Sequence, residues 1–277
     1  MSSIVIIGSS NVDYLGVSFN KLIEKDSNIG KISVSSGGVG RNICENLLRL
    51  GEDVTFFTAI GNDMAGEKIE KELKDLKCKI IKPLTTKQTA SYLAIHDETG
   101  DMALALCDTS IIEDLSNELF EHYKDIINDA EILIFDGNLT PQTLKYLFNT
   151  FTNKIIVDGI STSKVVKFKD YLSKIYVLKV NTYESKEIRP FIKENNFPQF
   201  LIVTNGKESI KCITKDNEYT IEIEPVEKIV NATGAGDAFI SGVISSLSHN
   251  DDIFEAIKKG DKLAKLTLTS KSSVYKL

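Results

Sequence analysis

The chain has 277 residues, 42% of them hydrophobic, and a formal net charge of −6 from 33 Lys/Arg against 39 Asp/Glu. That is enough apolar material for one large α/β domain or two smaller ones. Lysines scattered among acids, with no basic stripe, speak against nucleic acid as a partner, and no apolar stretch approaches membrane-spanning length.

The first element is Ile4 to Ile7, a four-residue apolar run without a basic flank, which reads as a buried strand rather than a secretion signal. GSSNVD follows it, with Gly8, Asn11 and Asp13. It is not GxGxxG, so a dinucleotide fingerprint is not supported. Asn11 and Asp13 suit the paired hydroxyls of a sugar, and they suit ordinary turn chemistry as well. Residues 12–36 then look like antiparallel β. SSGGVGRN (35–42) runs into a helical pattern from Arg41 to Leu50, with Ile43, Leu47 and Leu50 on one face and Gly51 as the C-cap. Gly37, Gly38 and Gly40 are more glycine than one helix start requires, so close approach to a ligand is expected there, with Asn42 in the first turn.

VTFF (54–57) is the next strand. Residues 88–108 read as strand, DETGD turn, strand, with Tyr92 to His96 facing Met102 to Leu106. Together with 12–36 this is a small sheet set apart from the core. It is either a lid that excludes water on closure or an inert edge hairpin.

ILIF (132–135), IIV (155–157), IYVLKV (175–180) and LIVT (201–204) continue a rhythm of apolar strands separated by helical segments, the mark of a parallel sheet covered on both faces. Clusters follow several of them. In NTYE (181–184), Asn181 and Glu184 share a helix face. They suit a hydrated magnesium ion carried by nucleotide phosphates, or a capping box. In TNGKES (204–209), Thr204 and Gly206 form a strand-to-turn edge open to a nucleotide, or an ordinary turn before SIKCIT. YTIEIEPVEKIV, broken by Pro225, is expected to be extended chain leading to NATGAGDAF (231–239) and then a helix. Asp237 there either caps the helix or stands as a reactive carboxylate beside amides that favour an anion. The cysteines Cys44, Cys78, Cys107 and Cys212 show no CxxC pair, the pattern of reduced thiols in a cytoplasm. His96, His122 and His249 are equally scattered and suggest no metal site.

GGVGRNICENLLRLG resembles the N-terminal signature of the PfkB, or ribokinase-like, carbohydrate kinases, and NATGAGDAFISG resembles the C-terminal one. With the NxxE pair, the resemblance covers nearly the whole chain. It implies a single kinase domain over 1–277: a three-layer αβα core with a mostly parallel sheet, and a small β-sheet lid from about 12–36 and 88–108. It implies that Asp237 is the general base, and that the amides of Gly234, Ala235, Gly236 and Asp237 form an anion hole for the γ-phosphoryl group. Asn11, Asp13, Gly37, Gly38 and Asn42 would hold the ribose, and Asn138 would add a substrate contact. Asn181, Thr204 and Gly206 would face ATP, and Asn181 and Glu184 would hold the water shell of Mg2+.

Many members begin the second motif with Asp-Thr, whose Asp helps bind a monovalent cation such as K+. This chain has Asn231-Ala232, and a neutral Asn weakens such a site. Three stretches, SYLAIHDETGDMALALCDTS, FDGNLTPQTL (135–144) and VDGISTSKV (157–165), resemble segments typical of the pseudouridine kinase subfamily. The implied reaction is transfer from ATP to the 5′-hydroxyl of pseudouridine. The alternatives are a kinase for a free sugar such as ribose, a kinase for another nucleoside such as adenosine, and a non-catalytic binding protein on the same fold. A cytoplasmic enzyme, with a homodimer through the lid, is expected.

Overall fold

In the computed structural model, which describes residues 3–276, the strands are β1 (Ile4–Ile7), β2 (Asn11–Ser18), β3 (Gly30–Gly37), β4 (Val54–Phe57), β5 (Lys79–Ile81), β6 (Ser91–His96), β7 (Met102–Asp108), β8 (Ile132–Asp136), β9 (Lys154–Asp158), β10 (Val177–Asn181), β11 (Phe200–Thr204), β12 (Ile210–Ile213) and β13 (Glu218–Ile221). The α-helices are α1 (Val39–Arg49), α2 (Met64–Asp75), α3 (Asn117–His122), α4 (Lys124–Asn128), α5 (Pro141–Thr150), α6 (Thr162–Val165), α7 (Thr182–Ile188), α8 (Ala235–Ser248) and α9 (Ile253–Leu268).

Nine strands form one sheet in the order β13-β12-β11-β10-β9-β8-β1-β4-β5, parallel except at the β11-β12-β13 edge. Both of its faces are covered, which is why its central strands are continuous apolar runs. Successive side chains of β1 go to opposite layers. Ile4 and Ile6 pack with Ile43, Leu47, Ile69, Leu73, Val243 and Ile257 from α1, α2, α8 and α9. Val5 and Ile7 pack with Phe120, Ile127, Leu144, Phe148 and Ile188 from the helices of the other face. Among the described residues no helix is long and apolar enough to cross a membrane.

From β1 the chain builds outward through β4 and β5, then returns to the other side of β1 and builds through β8 to β11. The order therefore reverses between β1 and β8, and the carboxyl ends of those strands open a crevice where such sheets take ligands. Backbones crowd at this point. A Cβ at Gly40 would lie 2.9 Å from the backbone of Gly8, one at Gly38 would lie 2.7 Å from the Ser9 carbonyl, and one at Gly37 would strike the Asp13 carboxylate at 2.1 Å. The glycines expected to make room for a ligand thus make room for the chain itself. The first amides of α1 are engaged in the same way, Gly40 N by Asp136 at 3.1 Å and Arg41 N by the Ser9 carbonyl at 3.0 Å.

The second sheet has the order β3-β2-β6-β7. The hairpin is seen in the expected place, with Leu93 opposite Leu106. A bulge after Ile95 sets His96 opposite Met102. Asp97 closes its turn by accepting from Thr99 N and Asp101 N, and Gly100 takes φ 89°. Its union with the first segment, a parallel pairing of β2 with β6, joins parts of the chain too distant in sequence for any local pattern to announce.

The stretch YTIEIEPVEKIV is strand only to Ile221, and 222–234 carries no strand. Beyond β13 there is no neighbour to complete a ladder, and Pro225 has no amide to offer one. The segment is instead pinned to the end of α9, where the Leu268 carbonyl accepts from Val230 N at 2.8 Å and Asn231 N at 3.3 Å.

Candidate active site

The carboxyl ends of β1, β8, β9 and β10 meet the first turns of α1 and α8. Gly234 stands before α8 with φ 82°, and a Cβ there would fall 2.0 Å from the Ser273 carbonyl, so this turn requires glycine. Ala235 opens the helix and Asp237 is its third residue. No side chain caps α8, which removes the capping reading of Asp237. Its carboxylate instead accepts from Asn42 Nδ2 at 2.8 Å, across from α1.

Asp237 is partly exposed at the floor of the crevice. Burial among protein atoms pushes its pKa from the ordinary 3.8 up to about 7, and the charges of Asp158 and Asp136 push in the same direction, against the Asn42 hydrogen bond and the charge of Lys179. A partly exposed carboxyl whose pKa lies near neutrality is matched to general-base work.

Lys179 was not singled out by the sequence reading. It lies within the apolar strand VLKV, where one lysine among buried residues was the available signal. Its Nζ meets Asp158 Oδ2 at 3.0 Å, and both side chains are buried. Burial alone would lower the Lys179 pKa, yet Asp158, Asp237 and Glu184 together raise it, so the ammonium stays charged. A Cβ at Gly236 would lie 2.8 Å from Nζ. A fixed positive charge therefore sits directly beneath the glycine turn, where it adds to the field of the helix start.

Asn181 and Glu184 form a complete capping box: Asn181 Oδ1 accepts from Tyr183 N and Glu184 N, and Glu184 Oε2 accepts from Asn181 N at 2.9 Å. Glu184 Oε1 also accepts from Asn181 Nδ2 at 2.6 Å. Burial pushes the Glu184 pKa up, while the Asn181 amide and Lys179 hold it down. Each carboxylate oxygen already has one partner and keeps a second lone pair. Among the described residues no group of three or more His, Cys, Asp or Glu could hold a metal. The pair therefore suits the water shell of an ion brought in by phosphates rather than a bare ion. Thr204 is the register partner of Asn181 on β11. Gly206 stands further out in an exposed turn at φ 58°, with open space around it.

On the other side, Asn138 is locked in place. Its Nδ2 donates to Ser9 Oγ at 2.7 Å, its Oδ1 accepts from Lys164 Nζ at 2.5 Å, and its backbone N donates to Asp136. Asp136 also accepts from Ser9 N and Ser9 Oγ, both at 2.7 Å, so β1 and β8 are tied at their carboxyl ends. Asn11 donates to Asp13 Oδ1 at 2.5 Å, both on β2 rather than in a turn. Burial pushes the Asp13 pKa up, opposed by Asn11 and by the charge of Arg41. A cleft of about 1020 Å³ lies between the four-stranded sheet, α1 and the segment before the glycine turn, lined in part by Asp13, Leu15, Ser35, Arg41, Tyr92 and Thr233. Cys44 and Cys78, 34 residues apart, come within 3.4 Å as buried thiols.

The Asp237 environment has a consequence for stability. A carboxyl whose pKa is raised on folding opposes folding once the unfolded chain ionises. The penalty is absent below the ordinary value of 3.8, grows through the acid range, and is complete above about 7. Asp237→Asn keeps the shape and removes the titration. Its melting temperature should exceed that of the parent by about 2 °C or more at about pH 8, and the gain should shrink towards about pH 5. Thermal denaturation at the two pH values checks this, and a gain that does not depend on pH would contradict the assignment.

Comparison with known proteins gives one consistent result. The model of the pfkB family carbohydrate kinases matches residues 1–277. The pseudouridine kinase of Escherichia coli strain K12 is 30% identical over 260 residues, covering 87% of this chain and 82% of that protein. The guanosine-inosine kinase of Exiguobacterium acetylicum is 26% identical over 300 residues, covering 98% and 95%. Among solved structures, a carbohydrate kinase from Agrobacterium tumefaciens superposes with a TM-score of 0.87 at 24% identity, covering 99% of this chain and 93% of that one. Ribokinase from Thermotoga maritima superposes with a TM-score of 0.85 at 20% identity, covering 99% and 95%.

Proposed function

The chain belongs to the pfkB family of carbohydrate kinases, a phosphotransferase that acts on a hydroxyl group, and from that premise we propose that it transfers the γ-phosphoryl group of ATP to the 5′-hydroxyl of a nucleoside, pseudouridine before others. The observation that carries the chemistry is Asp237: a partly exposed carboxyl with a near-neutral pKa, at the start of a helix, hydrogen-bonded to Asn42. An alcohol attacks phosphorus only when its proton has an acceptor within reach, and Asp237 supplies it. The amides of the 234–237 turn, with Lys179 below them, face the charge that shifts onto the phosphoryl oxygens. Asn11, Asp13 and Asn42 take the ribose hydroxyls, with Gly37 and Gly38 keeping the wall close and Asn138 closing the far side. Thr204 and Gly206 offer an edge to the nucleotide. Asn181 and Glu184 would hold the waters of magnesium, which neutralises phosphate charge when bound.

A nucleoside is favoured over a free sugar by two points. The cleft continues beyond Asp13 past Leu15 and Tyr92 of the lid, which leaves room for a base after the ribose. Two of the similar proteins are nucleoside kinases by name. The deciding experiment measures ADP release with pseudouridine, uridine, adenosine, guanosine and ribose. Pseudouridine should give the highest kcat/KM, and ribose outperforming every nucleoside would overturn the substrate. Asp237→Asn should cost at least roughly 10²–10⁴-fold in kcat with folding intact. Near-full turnover by that variant would remove the base.

The ions divide. At 231–233, Asn231 Oδ1 accepts from Thr233 N at 2.9 Å and Nδ2 reaches the Lys271 carbonyl at 3.4 Å. A neutral amide spans the two loops, and the donor it turns to that carbonyl is the wrong sign for a cation's neighbour. Glu184→Gln should lose activity at low magnesium and recover in part at high magnesium. Exchanging potassium for sodium should change neither curve. A Glu184→Gln deficit insensitive to magnesium would leave the pair as a capping box alone.

We also read the outer face of the lid as the seat of a second copy. The pleat puts Ile32, Leu93, Leu104 and Leu106 on the face opposite Asp13, Leu15 and Tyr92, and the four are 37–74% exposed. Sedimentation should find a dimer that Ile32→Asp with Leu104→Asp converts to monomers, and a monomeric parent would rule this out.

A further inference from the structure

Arg41 stands beside Asn42 on α1, and the chemistry above makes no use of it. Its side chain is buried. The guanidinium meets Glu45 Oε2 at 2.5 Å and Glu72 Oε2 at 3.1 Å, and Nη1 donates to Asn42 Oδ1 at 3.2 Å. Nε, also buried, has no acceptor. The cluster is therefore rich in donors and short of acceptors.

That shortage decides the orientation of an amide. The two ends of an Asn side chain have nearly the same shape, so its neighbours choose which one faces which way. A guanidinium only donates, so the end of Asn42 turned towards Arg41 is its oxygen. The NH2 then faces Asp237 Oδ2 at 2.8 Å. The choice matters most just after proton transfer. Protonated Asp237 can donate as well as accept, and it would draw an unrestrained amide round to present its oxygen. A flipped Asn42 would set NH2 against guanidinium, donor against donor.

We propose that Arg41 is a positioning residue that acts through Asn42: it holds the amide so that NH2 always donates to Asp237, which favours the carboxylate and resets the base after each transfer. This rests on Asp237 being the base. The charged groups around Asp237 are Asp136 from β8, Asp158 from β9 and Lys179 from β10, with Glu184 beyond Lys179. None of them is altered by a change at 41.

Arg41→Met keeps the length of the side chain and removes the donors. Glu45 retains Arg49 at 2.7 Å and Glu72 retains Lys68 at 3.0 Å, so neither carboxylate is left alone. In this variant the acid limb of the kcat/KM–pH profile should move up by roughly one unit, the weight of one hydrogen bond to a charged group. Asn42→Ala should move it similarly, and the double variant should move it no further than Asn42→Ala alone. An unmoved limb in Arg41→Met overturns the proposal. So does an added shift in the double variant, which would mean that Arg41 acts by its own charge on Asp237 or on Asp13. In the unmodified protein, the Asn42 side-chain NH2 should show a hydrogen-bonded proton by NMR on both sides of the Asp237 titration, a readout that needs no variant to fold. Its loss on the acid side would equally refute the pin. If Asp237→Asn keeps its turnover, the base reading fails. If Asp237→Asn is inactive while the limb of Arg41→Met stays in place, only the present proposal fails.

Discussion

The constraint on which the rest depends is a crowding of like charge. Asp136, Asp158 and Asp237 converge where β8, β9 and α8 meet, and one buried ammonium, Lys179, stands among them. Burial raises the Asp237 pKa, and the charges of Asp158 and Asp136 add to that rise. Each acid has its own counterweight. Asp136 takes the amides of Ser9, Gly40 and Asn138 and becomes structural. Asp158 takes Lys179. Asp237 receives one amide hydrogen bond and a share of the lysine, and so remains the carboxyl poised near neutrality. Removing one partner of a buried ion pair typically costs about 3–5 kcal/mol, so Lys179 cannot be subtracted without disturbing the floor of the site.

The layered fold exists around this cluster in a specific sense. A switch in strand order opens the crevice between β1 and β8, and it also forces two backbones into contact, at Gly8 and Gly40. The same glycines bring the start of α1 close enough for its amides to reach Asp136 and for Asn42 to reach Asp237. A side chain at either glycine would push α1 outward and separate Asn42 from the base it touches. Packing and chemistry are thus set by the same few ångströms.

Much of this could be read in advance, and the reasons for the rest are physical. β1, β4 and the hairpin strands lie where the periodicity put them, because a strand buried on both faces has a local signature. Asp237, Asn42, Asn181 and Glu184 stand out by motif; Asn42 is hydrogen-bonded to Asp237, and Asn181 to Glu184. Lys179, Asp158 and Asp136 were not, because a lone lysine in an apolar strand and an Asp at a strand end are common and acquire meaning only across the sheet. The glycines of SSGGVGRN read as room for a close approach, and the chain itself takes part of that room at Gly8, Ser9 and Asp13. From one sequence, a close approach can be inferred without its partner being known. After Ile221 the chain forms no strand, because a strand needs a neighbour to pair with as well as a pattern.

The four-stranded sheet leaves the core without a linker. β2 begins at Asn11 as the chain clears β1, β3 ends at Gly37 just before α1, and Asn11 and Gly37 are opposite each other in the ladder. The rung nearest the core is therefore made of the residues that join the small sheet to β1 and to α1. Any turn of the sheet about that rung would carry Asn11 and Asp13 with it, as a lever whose short arm lies at those two residues and whose long arm reaches the hairpin tip.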